Sequence, residues 1–292
     1  MRDVSSVVSI DEYFAWQKSD HKNALKTIKV LYTSMGGPAL KPNIVKQHPN
    51  TYIPHSISFD FQEQFADSNS ALSNTMVSAE EFAKQATSLG LSSSDTLIIY
   101  DDFGNFCASR VWFMFKSMGH KKVFILDGGL PLYLSLGLPT SNELMSKANC
   151  AVENRYKCVP DSSFMFVGQD YILAKIQSPE TKVLDARSHA RFLGTTPEEK
   201  SHLRAGHIPN SINIHYASLQ DEHGRFLPTS ALSEYFAAYK DKSLVFSCGS
   251  GVTACILAQA ATLVGITDVK VYDGSWSQWG ANASLPIEIG RA

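Results

Sequence analysis

The segment Leu244-Val245-Phe246-Ser247-Cys248-Gly249-Ser250-Gly251-Val252-Thr253-Ala254 decides the fold. Its first four residues form a short run of the kind expected for a buried parallel strand. Gly249 and Gly251 then let the backbone curl without Cβ clashes. Residues 252–264 are apolar and free of proline, which predicts a helix, and Gly265 follows in the C-cap role. Val269-Lys270-Val271-Tyr272 reads as the next strand. A strand, loop, helix and strand of this length imply a right-handed parallel crossover.

The same architecture occurs earlier in the chain. Leu97-Ile98-Ile99-Tyr100-Asp101 resembles Leu244-Val245-Phe246-Ser247-Cys248, with a helix predicted over 109–118 and Gly119 after it. Val123-Phe124-Ile125-Leu126-Asp127-Gly128-Gly129 parallels Val269-Lys270-Val271-Tyr272-Asp273-Gly274-Ser275, and Ile53-Pro54-His55-Ser56-Ile57 parallels Ile208-Pro209-Asn210-Ser211-Ile212. Asp101 precedes Asp127 by 26 positions and Cys248 precedes Asp273 by 25, an agreement that argues against coincidence. The expected fold is α/β: two tandem domains, each a mostly parallel sheet with helices on both faces. The domains are expected at 5–140 and 165–290. Pro139, Pro160 and several Ser and Asn residues mark a linker near 139–163, with no strand expected until Lys182-Val183-Leu184.

A length of 292 residues suits two domains. The net charge of −2 argues against a nucleic-acid partner. No apolar stretch reaches the ~18 residues of a membrane span. The start Met1-Arg2-Asp3-Val4-Ser5 lacks the apolar core of a secretory signal, so a cytoplasmic protein with no membrane association is expected. The cysteines are Cys107, Cys150, Cys158, Cys248 and Cys255. Their odd number and the lack of any C-x-x-C pair fit a reducing compartment, with neither a disulfide framework nor a structural zinc site.

The loop after Ser247 lies where open α/β sheets build sites, at a strand end and a helix start. Successive N–H groups of such a loop can form an anion-binding nest, and the helix dipole adds to it. A cysteine at the first position would have its thiolate stabilised there. The bland alternative is that Cys248 is a small buried hydrophobe. Other nucleophile motifs fail on particular residues. A tyrosine-phosphatase loop needs Arg where Ala254 stands, and neither a nucleophile elbow nor a Walker A pattern is present.

Cys248-Gly249-Ser250-Gly251-Val252-Thr253 resembles the active-site loop of rhodanese-family 3-mercaptopyruvate sulfurtransferases. Tyr272-Asp273-Gly274-Ser275-Trp276, Val183-Leu184-Asp185-Ala186-Arg187 and Gly206-His207-Ile208-Pro209 resemble the same family, and the resemblance covers nearly the whole chain. It implies a sulfurtransferase that moves sulfane sulfur from 3-mercaptopyruvate, through a Cys248 persulfide, to a thiol or cyanide. The partners so implied are a small anionic donor and an acceptor such as a small thiol or a thioredoxin-like protein; no metal or organic cofactor is implied. The alternatives are a thiosulfate sulfurtransferase and a persulfide carrier with little turnover.

The resemblance also implies roles for residues around the loop. Arg191 would grip the substrate carboxylate, and Arg110 would face the active cleft from a catalytically silent first domain. Asp101 occupies the first repeat's cysteine position, which leaves one active site per chain. Gly249, Ser250, Gly251, Val252 and Thr253 would hold the persulfide. Lys200 stands where the family has a second substrate arginine, keeping the charge without the fork. Gln62 and Thr75 fall near the family's Asp and His, and no histidine occurs between residues 56 and 119. His207 and Cys107 read as structural.

Overall fold

The computed structural model describes residues 6–20, 28–35, 49–145, 155–198 and 200–290. The N-terminal reading at residues 1–5 and Cys150 lie outside them. The chain divides into two compact units. One comprises residues 1–66, 77–160 and 222–225; the other comprises 67–76, 161–221 and 226–292.

The first unit runs β1 (Val7–Val8), α1 (Ile10–Asp20), β2 (Ile28–Thr33), β3 (Ser56–Ser58), α2 (Ala79–Ser88), β4 (Thr96–Asp101), α3 (Ala108–Ser117), β5 (Val123–Leu126) and α4 (Gly129–Ser135). Its strands lie in the order β1-β5-β4-β2-β3, every pair parallel. Successive side chains of a strand point to opposite faces. Val30, Tyr32, Ile98, Tyr100, Phe124 and Leu126 pack on one face with Tyr13 of α1 and Tyr133 of α4. Toward α2 and α3, the rings of Phe59, Phe65, Phe82 and Phe115 cluster, with Phe59 and Phe65 stacked at 3.9 Å.

The second unit runs β6 (Phe164–Val167), α5 (Gln169–Lys175), β7 (Thr181–Asp185), α6 (His189–Leu193), β8 (Ile212–Asn213), α7 (Thr229–Phe236), β9 (Ser243–Ser247), α8 (Ala254–Leu263), β10 (Val269–Tyr272) and α9 (Ser275–Trp279). Its order is β6-β10-β9-β7-β8, again all parallel. Numbered within each unit, both sheets read first, fifth, fourth, second, third. The repeat seen in sequence is therefore a repeat of topology.

Two expectations are corrected. Phe164–Val167 is a strand, although none was expected before Lys182; it is four residues long, among the described residues pairs only with β10 at the sheet edge, and leaves Met165 exposed, so neither length nor alternation announces it. The helix after Cys248 begins at Ala254 and not at Val252, because Val252 and Thr253 complete the loop. Among the described residues, no helix is long and apolar enough to cross a membrane.

Candidate active site

Strand β9 delivers Cys248 to the C-terminal edge of the second sheet, and Gly251 turns the following loop through a left-handed φ of 78°. Three successive carbonyls of this loop are tied back by hydrogen bonds. The Cys248 carbonyl accepts from Trp276 N–H at 2.9 Å, and that of Gly249 accepts from both the N–H (2.8 Å) and the hydroxyl (2.7 Å) of Ser277. The Ser250 carbonyl accepts from Asn74 Nδ2 at 3.3 Å. In a planar trans peptide the C=O and the next N–H point opposite ways. Tying these carbonyls back therefore turns the N–H groups of Gly249, Ser250 and Gly251 to the other side, the arrangement of an anion nest.

Cys248 is 1% exposed, so its sulfur lies at the floor of the loop. Its N–H donates to Ser275 Oγ at 3.1 Å, and that hydroxyl lies 4.0 Å from Cys248 Sγ. Ser275 holds φ at 47°, a conformation that costs a non-glycine residue on the order of 1 kcal/mol. The segment 67–76 belongs to this unit and contributes Asn74 together with Met76, whose N–H donates to Asp273 Oδ2 at 2.7 Å.

A chain of alternating charges runs up to the loop. Asp185, at the end of β7, receives Arg187 Nε at 3.0 Å and Nη2 at 2.7 Å. Arg187 also donates Nη1 to Glu198 Oε1 at 2.8 Å and lies 4.3 Å over the Trp276 ring. Burial works against the Arg187 charge, yet the two carboxylates outweigh it and raise the guanidinium further. Glu198 Oε2 in turn accepts from Arg191 Nε (3.1 Å) and Nη2 (2.5 Å). Arg191, on α6, is the only side chain of the four that is appreciably exposed, at 30%. Its terminal nitrogens are the atoms nearest the space a side chain at Gly249 would fill.

Lys200 is exposed and does not join this network. Arg110 is buried on α3 of the first unit. The Thr75 hydroxyl is engaged locally with Ser70, and Gln62 N–H with Asp60. His207 is buried, stacks on Phe192 at 3.8 Å and hydrogen-bonds its carbonyl through Nδ1.

The corresponding loop of the first unit holds its own anion. The Asp101 carboxylate accepts N–H bonds from Phe103 (2.9 Å), Phe106 (2.7 Å), Cys107 (2.7 Å) and Ala108 (2.8 Å). Burial raises this carboxyl above its usual range, and the four donors only partly oppose the shift. The Cys107 thiol is wholly buried, and burial raises it well above its ordinary value, away from the thiolate.

Sequence reasoning missed Ser275, Glu198 and Asn74 as neighbours of the loop. Ser275 had a signal, since it stands in the repeat where the first copy has Gly129, and both adopt left-handed backbone. Glu198 and Asn74 had none, because they reach the site only through the fold.

A family profile for the Rhodanese-like domain matches residues 46–135 and 168–282. The thiosulfate/3-mercaptopyruvate sulfurtransferase 1, mitochondrial, of Arabidopsis thaliana is 35% identical over 89% of this chain and 74% of its own. The 3-mercaptopyruvate sulfurtransferase of Rattus norvegicus is 36% identical over 88% of this chain and 86% of its own. A solved 3-mercaptopyruvate sulfotransferase from Escherichia coli superposes with a TM-score of 0.76 at 28% identity, over 94% of this chain and 99% of that one.

Proposed function

This chain belongs to the rhodanese family and is a sulfurtransferase, and from that premise we propose that Cys248 carries sulfane sulfur taken from 3-mercaptopyruvate. The Cys248 thiolate attacks the donor sulfur. The carbon–sulfur bond breaks, its electron pair passes to carbon, and the resulting pyruvate enolate takes a proton. Cys248 is left as a persulfide. An acceptor thiolate, from a small thiol or a thioredoxin-like protein, then attacks the outer sulfur; the sulfur–sulfur bond breaks and the Cys248 thiolate returns. This is covalent, two-step catalysis.

The observation that carries the proposal is the set of three tied-back carbonyls at Cys248, Gly249 and Ser250. They support a ring of amides preset for an anionic sulfur, which needs no rearrangement as charge moves. Arg191 beside Gly249 supports recognition of a carboxylate on the donor. Thr253 and Val252 complete the loop, while Lys200, being exposed, serves at most as a distant attraction for the anion. A reducing compartment such as the cytoplasm suits a nucleophilic thiol.

Intact mass after treatment with 3-mercaptopyruvate tests the assignment. Wild type is expected to gain one sulfur and Cys248→Ser none; an equal gain on the variant moves the chemistry to another residue. Thiosulfate is the competing donor, favoured by the lack of a histidine near Thr75. Turnover with both donors decides between them, and a strong preference for thiosulfate removes the mercaptopyruvate assignment.

A further inference from the structure

A guanidinium has two edges that can grip a carboxylate: the side edge formed by Nε and one terminal nitrogen, and the end edge formed by both terminal nitrogens. In Arg191 the side edge is taken by Glu198 Oε2, through Nε at 3.1 Å and Nη2 at 2.5 Å. The end edge faces the active loop, with Nη2 at 3.4 Å and Nη1 at 3.8 Å from the Cβ position of Gly249.

Glu198 is itself immobilised. Its side chain is 1% exposed, and its other oxygen accepts from Arg187, which is held by Asp185 and the Trp276 face. A long arginine side chain on a five-residue helix has many rotamers open to it, and ordering it at the moment of binding costs free energy. Here the ordering is done beforehand by a buried carboxylate.

We propose that Glu198 is the positioning residue that aims the end edge of Arg191 at the donor's carboxylate beside Gly249. The inference rests on the reading of Arg191 as the carboxylate-binding group. It also has a consequence that charge alone reverses. Asp185, Arg187, Glu198 and Arg191 carry two negative and two positive charges, so the cluster closes near neutrality. Removing the charge of Glu198 leaves it net positive. If net charge governed donor binding, the change would strengthen binding; if aim governs it, the change weakens it.

The test is the steady-state kinetics of Glu198→Gln and Arg191→Ala with 3-mercaptopyruvate as donor and 2-mercaptoethanol as acceptor. Glu198→Gln is expected to raise the donor KM about tenfold while kcat stays within about threefold and the acceptor KM is unchanged. An unchanged or lowered donor KM overturns the proposal. Arg191→Ala separates the role of Arg191 from that of Glu198. If it leaves the donor KM untouched, the reading of Arg191 fails; if it raises the donor KM but Glu198→Gln does not, only the role of Glu198 fails. Should Glu198→Gln not fold, Glu198→Asp keeps the charge but shortens its reach. A severalfold rise in donor KM is then expected, and a wild-type value overturns the proposal.

Discussion

Ser275 accepts the Cys248 N–H in a 3.1 Å hydrogen bond while its own backbone sits at a φ of 47°. The two facts belong together. The left-handed turn swings the hydroxyl under the strand end, where it also donates to the Tyr272 carbonyl at 2.7 Å and lies 4.0 Å from Cys248 Sγ. A strained backbone is kept where it holds the Cys248 amide at the start of the loop.

Two substitutions at this position separate backbone from hydroxyl. Ser275→Gly relieves the strain and Ser275→Ala keeps it, while both remove the acceptor for the Cys248 N–H. We expect kcat/KM for sulfur transfer to fall by about tenfold in both. Thermal unfolding should diverge, with the alanine variant about 1 kcal/mol less stable than the glycine variant. Full activity in Ser275→Gly would show that the hydroxyl contributes nothing beyond the turn.

Asp101 makes the first unit's loop a stability element. Asp101→Ala leaves four buried N–H groups without their acceptor, and an unfolding free energy about 4 kcal/mol lower is expected from urea titration. Asp101→Asn keeps the shape but turns an amide donor toward other donors, so an intermediate loss of about 2 kcal/mol is expected. A loss below about 1 kcal/mol in the alanine variant would mean that solvent replaces the carboxylate freely.

His120 gives the first unit a pH dependence. Burial lowers this imidazole to about 4, and its nitrogens pair with the Tyr156 hydroxyl at 2.8 Å and the Asp95 carbonyl at 3.0 Å. The unfolded chain binds the proton near pH 6.5, so His120 contributes stability above that pH that is lost as the pH falls toward 4. Between pH 7 and pH 5 the loss should be about 2 kcal/mol in urea unfolding, and His120→Gln should abolish that part of the slope. Identical slopes in the two proteins would remove His120 as the cause.

Much of this was legible beforehand because its causes are short-range. The strand preceding Cys248 is an apolar run, the glycines are loop formers, and Gly119 and Gly265 follow their helices with φ of 80° and 88°. The two repeats align because each must rebuild the same crossover. The edge strand Phe164–Val167 was not legible, since a short, half-exposed strand on one partner carries almost no pattern. The burial of Cys248 was not legible either, because accessibility depends on what the fold lays around a loop.

Sequence alone therefore determined a doubled α/β fold, one cysteine at a strand end followed by a Gly-Ser-Gly turn, and a carboxylate in its place in the first copy. Tertiary structure decided which groups hold that cysteine's loop. The partners of the Cys248 amide and the Ser250 carbonyl lie 27 and 176 positions away in the chain. Glu198 meets both Arg191 and Arg187, and Arg187 is itself held by Asp185 and the Trp276 ring. The physical reason is range: backbone preference acts over a few residues, whereas a hydrogen bond or ion pair is set by which strands the sheet brings side by side.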